Sequence, residues 1–411
     1  MEIQSPGYLL LRPLMECGMA VSQKIRGFME QGSWIRRMFE EGSALKQKYG
    51  GENVFDLSLG NPVMEPPPEF FDELKRIAND PTPGMHRYMS NAGYEDTRGA
   101  VGTQLQTETG LDFTAGEVVM TCGAGGALNV VLRTLLDPGD EVVIFAPYFV
   151  EYIFYADNHG GKCTVVPADE SFYPDMAAFE SSITGATRIV LVSSPNNPTG
   201  VVYSAGLLAE MGQIIRRKER EIGREIFLVS DEPYRKILFD GLEYPHVFHH
   251  HVRSIVATSH SKDLALPGER IGFIAIHPEY EDREELVDGL VFCNRTLGFV
   301  NAPALMQHIV KNLQSVTVDV GAYQAKRDFL YDRLTEMGYS IVKPRGAFYM
   351  FPRSPIDDDV EFVGELQKHN ILVVPGRGFG MPGHFRISYC VEDRTLERAL
   401  SGFKAAFDRY R

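Results

Sequence analysis

The middle of this 411-residue chain alternates short, β-branched apolar runs with longer stretches of helical periodicity. Such runs are typical of strands buried on both faces, and intervening helices wrap a mainly parallel sheet. The runs lie near residues 118–121, 141–145, 163–166, 189–193, 226–230, 254–258 and 271–276. The sequence therefore predicts an α/β fold in which a mainly parallel, seven-stranded sheet is flanked by helices.

The region after residue 302 has a different pattern. Residues Met306–Leu334 have helical periodicity, and GYSIVKPRGAFYMFP indicates paired strands. We therefore expect a smaller α+β domain beside the large one. The predicted segments are an N-terminal extension, an N-terminal part of the small domain, the large domain and the C-terminal small domain, at residues 1–18, 19–65, 66–302 and 303–411. Met19 is an alternative start to Met1.

Charge and cysteine content exclude some classes of protein. The formal net charge of −14 disfavours nucleic acid as the main partner. The five cysteines have no metal-binding or redox spacing, which is typical of a reducing cytosol. The apolar run at residues 7–18 contains Pro13 and lacks the flanks of a signal peptide. We therefore predict a cytoplasmic protein that binds neither nucleic acid nor membrane.

The segment SHSKDLALPGERIG combines groups that an aldehyde cofactor with a phosphate would need. Lys262 follows a predicted buried strand, lies between Ser259 and Ser261, and precedes Arg270 by eight residues. A lysine forms a Schiff base only when its amine is neutral and held still, as in a partly desolvated, positively charged site. The hydroxyls and the guanidinium could bind phosphate. A surface lysine in a loop is the alternative.

Polar residues follow other predicted strands, at the edge where open α/β sheets bind ligands. Asn197 lies in SPNNPTG, and Asp231 and Tyr234 lie in DEPYR. Asp231 could pair with a protonated ring nitrogen, and the Tyr234 phenol could contact a ring oxygen. An ordinary turn and a helix cap are the alternatives for Asn197 and Asp231.

Two further motifs could bind anions. The loop TCGAGGAL follows a strand and begins a helix, so its amides could cradle a phosphate. A nucleotide-binding loop, or a glycine loop without a ligand, would look similar. Arg386, in the β-like run HFRISYC, could bind a carboxylate, and a surface arginine is the alternative.

In order and spacing, the motifs resemble those of class I/II aminotransferases. These are pyridoxal 5′-phosphate enzymes of fold type I, in the aspartate aminotransferase superfamily. The resemblance runs from about Ser33 to the C-terminus. The motifs are SWIRRMF, LSLGNP, HRYMSNAGYEDTR, TCGAGGAL, APYFVEY, SPNNPTG, SDEPYR, SHSKDLALPGERIG, GAFYMF and FRIS. It implies an aminotransferase with a large pyridoxal-phosphate-binding domain.

The resemblance also implies a role for each cofactor-binding residue. Lys262 would form the internal aldimine and later move the substrate proton. Asp231 would keep the ring nitrogen protonated, and Tyr234 and Asn197 would contact the ring oxygen. Phe149 would stack on the ring. The phosphate would be held by Arg270, Ser259, Ser261 and the backbone of Gly123, Ala124 and Gly125.

The remaining implied roles concern the substrate and the partner subunit. Arg386 would bind the substrate α-carboxylate, with Asn197 and the backbone of Gly60 nearby. Tyr88 would reach the phosphate of a neighbouring subunit, which implies a homodimer with its active site at the interface. Trp34 and Ile35 could line the substrate entrance, although a plain amphipathic helix explains them equally well.

Other residues are less informative. Asn61 stands where many family members have an acidic residue. Arg295 lies near the region where dicarboxylate-specific members need a second cation, but a surface role is favoured. His246 and the run 249–251 lack metal-ligand spacing, so no metal site is expected.

The resemblance predicts a ping-pong transfer of an amino group from an L-amino acid to a 2-oxo acid. A carbon–sulfur β-lyase or another fold type I lyase is the alternative. A ligand-sensing regulator would need a DNA-binding module, and an NAD oxidoreductase would leave Lys262, Asp231 and Arg386 without a role. The sequence does not identify the donor or the acceptor.

Overall fold

A computed structural model describes residues 20–31, 42 and 45–411. The predicted extension at residues 1–18, the alternative start Met19, and the entrance residues Trp34 and Ile35 lie outside the described residues. Within the described ranges, no helix is both long enough and apolar enough to cross a membrane.

The strands of the described residues are β1 Phe55–Asp56, β2 Val118–Thr121, β3 Glu141–Phe145, β4 Lys162–Val166, β5 Thr187–Ser193, β6 Phe227–Asp231, β7 Ser254–Ser259, β8 Gly272–Ile276, β9 Tyr349–Met350, β10 Ile371–Leu372, β11 Val374–Pro375 and β12 Phe385–Ser388. Seven of them form one sheet, in the order β2-β8-β7-β6-β5-β3-β4. Strand β8 is antiparallel to β2 and β7, and the other neighbours are parallel. The predicted mainly parallel, seven-stranded α/β fold is confirmed.

Helices cover the sheet and fill the remainder of the chain. They are α1 Gln23–Gln31, α2 Pro68–Asn79, α3 Glu95–Thr109, α4 Gly123–Leu135, α5 Glu151–Asn158, α6 Met176–Ser182, α7 Ala205–Ile222, α8 Arg283–Thr296, α9 Ala304–Val310, α10 Val320–Met337, α11 Asp359–Lys368 and α12 Asp393–Asp408, and residues 45–49 are also helical. Their ends have local causes. In α7, Ser204 Oγ accepts a hydrogen bond from the Leu207 amide, and Gly223, with φ of 71°, ends the helix.

The central sheet is buried on both faces. Side chains alternate between faces along a strand, and in β5 Val190 and Val192 pack into one hydrophobic cluster, whereas Ile189 and Leu191 pack into another. Two covered faces explain why the strands are continuously apolar. A polar ligand therefore has access to this sheet at its edge, where the strands end.

The helical pattern at Met306–Leu334 corresponds to two separate helices and not to one continuous helix. Helices α9 and α10 are separated by residues 311–319. In this segment the Val318 amide donates to the Asp263 carbonyl oxygen at 2.7 Å, and the Thr317 hydroxyl donates to the same oxygen at 3.1 Å. These bonds to the loop after β7 replace the bonds that would continue the helix.

The prediction of paired strands in GYSIVKPRGAFYMFP is wrong. Only β9 is a strand there, and it pairs with β12. The Arg345 and Gly346 amides donate to the Gly200 carbonyl oxygen at 2.9 Å and 3.0 Å instead. The preceding residues are therefore held against the SPNNPTG loop.

Candidate active site

A cavity of about 340 Å³ lies at the carboxyl ends of parallel strands β5, β6 and β7. The last residues of these strands, Ser193, Asp231 and Ser259, all line it. The cavity brings together most of the predicted site residues, as expected for open α/β sheets. These are Gly60, Ala124, Gly125, Phe149, Asn197, Asp231, Tyr234, Ser259, Ser261, Lys262, Arg270 and Arg386.

Two predicted site residues do not line this cavity. Gly123 is the first residue of α4, directly before the lining residue Ala124, and has φ of 74°. A Cβ at Gly123 would lie 2.7 Å from Arg270 Nη2, so this position favours glycine for space as well as conformation. Tyr88 is 92% exposed and lies beside residues 299–302 in a separate surface depression.

Lys262 lies in the turn after β7 with its amine inside the site. Its Nζ donates a hydrogen bond of 2.7 Å to the Gly60 carbonyl oxygen. Burial, together with the positive charges of Arg270 and Arg386, lowers the pKa of Lys262 to about 8. A substantial fraction of this amine is therefore neutral, and nucleophilic, near neutral to mildly alkaline pH.

Asp231 is a buried carboxylate with one paired oxygen. The Tyr152 hydroxyl donates a hydrogen bond of 2.5 Å to Oδ2. Oδ1 is buried and has no hydrogen-bond partner among the described residues. Burial raises the pKa of Asp231 to about 6, and the Tyr152 hydrogen bond opposes that rise. The carboxylate is therefore mostly ionised at pH 7 and holds one free acceptor.

Arg386, on β12, is held with its guanidinium toward the cavity. Nη1 donates to Asn197 Oδ1 at 2.9 Å, and Nη2 donates to the Ser58 carbonyl oxygen at 2.5 Å. The guanidinium also lies 4.6 Å from the ring centroid of Tyr349 and 4.8 Å from that of Phe379. Its described contacts include no carboxylate, so it is a fixed cation suited to a carboxylate ligand.

Tyr234 and Tyr349 form the wall next to Gly60. Their hydroxyl oxygens lie 2.9 Å apart. A Cβ at Gly60 would lie 1.8 Å from the Tyr349 hydroxyl, so only glycine fits between this phenol and the Lys262 amine. The sequence analysis did not single out Tyr349, whose only signal is its place in GAFYMF.

The opposite end of the cavity is suited to an anion. The first turn of α4 contributes Ala124 and Gly125, and the first amides of a helix have no acceptor within it. Arg270 has φ of 53°, and its Nη1 and Nη2 donate to the Pro267 and Cys122 carbonyl oxygens at 2.9 Å and 3.4 Å. The guanidinium is thus fixed beside the start of α4.

Aromatic and acidic residues of one helix were missed by the sequence analysis. Glu151 and Tyr155, both on α5, line the cavity, and Tyr152 contacts Asp231 from the same helix. Tyr152 and Tyr155 follow Phe149 at intervals of three, a helical spacing that could have revealed them. Phe149 lines the cavity, whereas neighbouring Tyr148 packs against Gly380.

Other predicted residues lie away from the cavity. Arg295 is exposed on α8, with its guanidinium 5.5 Å from the Phe292 ring centroid. His246 is buried, and burial lowers its pKa to about 4. His251 Nε2 lies 3.0 Å from the Ile226 carbonyl oxygen. Among the described residues, no group of His, Cys, Asp and Glu side chains could hold a metal ion.

Sequence comparison identifies the family to which this site belongs. The profile of the family described as "Aminotransferase class I and II" matches residues 52–403. The chain belongs to the class I and II aminotransferase family. It is an aminotransferase of a pyridoxal-phosphate-dependent family, as the motifs predicted.

Several relatives support this placement of the aminotransferase. It is 31% identical to the "Probable aspartate aminotransferase" of Methanocaldococcus jannaschii over 87% of this chain and 94% of that protein. It is 30% identical to the aspartate/prephenate aminotransferase of Thermus thermophilus over 89% and 94% of the respective chains. A solved aminotransferase from Eubacterium rectale has a TM-score of 0.92 and 38% identity, covering 96% of this chain and 100% of that chain.

Proposed function

We propose that this aminotransferase holds pyridoxal 5′-phosphate at Lys262 and transfers an amino group from an L-amino acid to a 2-oxo acid by a ping-pong cycle. The observation that carries the proposal is the grouping in one cavity of the Lys262 amine, the unpaired Asp231 oxygen and the Arg270 guanidinium. An aldehyde, a protonated ring nitrogen and a phosphate require these three groups respectively.

The residues present fit this cofactor. Asp231 Oδ1 is a buried acceptor without a partner among the described residues, which suits a protonated ring nitrogen. Arg270, Ser259 and Ser261 would hold the phosphate with the backbone of residues 123–125. Phe149 would cover one face of the ring, and Tyr234 and Asn197 would contact the ring oxygen.

When bound, pyridoxal phosphate supplies an aldehyde that accepts the amino group and a ring that accepts an electron pair. The chain's own residues do the rest. Arg386 binds the substrate α-carboxylate and so fixes the position of Cα. The Lys262 amine would act as the base for the substrate Cα proton, since a pKa of about 8 leaves part of this amine neutral at pH 7 to 8.

The assembly and the domain division are part of the same proposal. We propose a large domain at residues 66–302 and a small domain formed by residues 19–65 and 303–411, with the cavity between them. Tyr88, exposed in one subunit, would complete the phosphate site of a second copy in a homodimer. The cytosolic location stays a prediction from the scattered cysteines. Sedimentation tests the dimer, which a purely monomeric holoenzyme would contradict.

The cycle is tested by its two half-reactions. Adding alanine or another donor to the purified holoenzyme should convert its aldehyde absorbance to that of the amine form, and a 2-oxo acid should reverse the change. A panel without any responsive donor would sink the proposal. Release of pyruvate and ammonia from cystathionine without an oxo acid would instead indicate a carbon–sulfur lyase.

A further inference from the structure

Glu151 is an acid whose side chain has no assigned partner in the cavity. It is the first residue of α5 and lines the cavity. One carboxylate oxygen interacts with its own backbone amide. The other, Oε2, is buried and has no hydrogen-bond partner among the described residues. A buried acceptor in this state is costly unless a ligand or water satisfies it.

The proposed reaction gives Glu151 no task. Asp231, the other carboxylate of the cavity lining, has a partner in Tyr152 and a role toward the cofactor. Glu151 is instead within electrostatic range of Arg386. Burial raises the pKa of the Glu151 carboxyl, and its own backbone amide and the Arg386 guanidinium oppose that rise. In its ionised form, Glu151 adds a negative charge to the part of the cavity where Arg386 would bind the substrate carboxylate.

The positive groups of the cavity lining are already committed. Lys262 and Arg270 serve the cofactor in the proposed function, and Arg386 serves the α-carboxylate. Among the described residues, no other lysine, arginine or histidine lines the cavity. Within the described lining of one subunit, a second carboxylate on the substrate would therefore share the cavity with Glu151 and find no cation of its own.

We propose that Glu151 is a specificity-determining residue that favours amino donors whose side chain ends in an N–H group over donors with a second carboxylate. The inference rests on the proposed function and names its substrate class. An N–H donor satisfies the free Oε2 oxygen, whereas a carboxylate is repelled by it. Asparagine and aspartate, which differ only in this group, form the matched pair of substrates.

The inference separates this chain from some of its relatives. The protein from Thermus thermophilus is named an aspartate/prephenate aminotransferase, and both named compounds carry two carboxylates. One charged group can discriminate between such substrates, because like charges repel one another in a desolvated site. Solvent in a cavity open to the surface reduces that effect.

The test is Glu151→Gln in the holoenzyme, which removes the charge and keeps the shape. At pH 8 the kcat/KM of the wild type should be about tenfold or more higher for asparagine than for aspartate. In the variant, aspartate should gain about tenfold relative to asparagine. Glu210→Gln is the matched control. Glu210 is exposed on α7, so this substitution removes the same charge at a position away from the cavity.

Binding of unreactive ligands to the wild type gives an independent readout. Maleate, a ligand of a solved Thermus aminotransferase, and its monoamide maleamate differ in one group. Tighter binding of maleamate supports the inference. Tighter binding of maleate, or an unchanged asparagine-to-aspartate ratio in Glu151→Gln, overturns it. If no donor gives the half-reaction, the proposed function fails, and the maleate comparison still decides the role of Glu151.

Discussion

The Tyr152 hydroxyl donates a 2.5 Å hydrogen bond to Oδ2 of Asp231, although 79 residues separate the two in the chain. This bond leaves Oδ1 free and orients it, since the carboxylate is buried at the end of β6. The partner of the proposed cofactor nitrogen is therefore itself positioned by a residue of α5.

Replacing Tyr152 with phenylalanine should shift the pH dependence of cofactor affinity. The pKa of Asp231 is about 6, and the tyrosine hydroxyl favours the ionised form. Asp231 is therefore ionised above pH 6 and loses its charge below it. Without the hydroxyl the pKa rises further, so the midpoint should move up by about one pH unit. Fluorescence titration of the apoenzyme measures it, with Tyr173→Phe as the control, and an unmoved midpoint would contradict the role.

Covalent capture of the cofactor should accelerate as pH rises through about 8. The neutral Lys262 amine is the nucleophile, and its pKa is lowered to about 8. The rate should therefore level off above pH 8 instead of rising by about tenfold per unit up to pH 10, as an ordinary lysine would require. Stopped-flow absorbance measures the rate. Borohydride should fix the cofactor to the wild type and not to Lys262→Ala, which should also lack transamination.

Arg386→Lys should weaken substrate binding despite keeping the charge. Lysine cannot form the planar fork that Asn197 and the Ser58 carbonyl hold in place. We expect kcat/KM to fall by about 100-fold or more, mainly through KM. Arg295→Lys, on the exposed face of α8, is the control. Equal effects of the two substitutions would remove Arg386 from the carboxylate site.

Gly60→Ala should destabilise the fold as well as the site. The added Cβ would lie 1.8 Å from the Tyr349 hydroxyl, and overpacking of this kind costs about 1–3 kcal/mol. Tyr349→Phe removes the nearest atom, so the double variant should recover part of the loss. Urea denaturation measures both. Gly51→Ala, which meets no atom within 4 Å, is the control, and additive losses in the double variant would contradict the clash.

The strands of the central sheet could be predicted because burial on both faces makes them continuously apolar. β2 and β3 have the predicted bounds, and β6 extends to Asp231, one residue past the predicted end. Asn197, Asp231 and Lys262 could be singled out because they lie at or just after the ends of such strands, where open α/β sheets bind ligands, and because the family resemblance implies a role for each. The antiparallel direction of β8 could not be predicted, because a buried strand has the same apolar composition whether it runs parallel or antiparallel to its neighbours.

Contacts between distant segments account for what the sequence analysis missed. Tyr349 lies 115 residues from Tyr234, and no local pattern pairs their hydroxyls. The break before α10 depends on the Asp263 carbonyl, which is far earlier in the chain. In the sequence, Glu151 looks like any acidic residue in the first turn of a helix. Its unpaired carboxylate oxygen, which only the structure reveals, distinguishes it from such residues.

The antiparallel pairing of β8 with β7 places Ser259 opposite Gly272. The loop between them thus leaves and re-enters the sheet at one point, and it carries both Lys262 and Arg270. One loop would therefore bind the cofactor at two points, its aldehyde and its phosphate, as a bidentate ligand binds a metal ion. If one end of the cofactor is released, the end that is still bound keeps it at high effective concentration near its site. The cofactor therefore dissociates only when both ends are released at the same time.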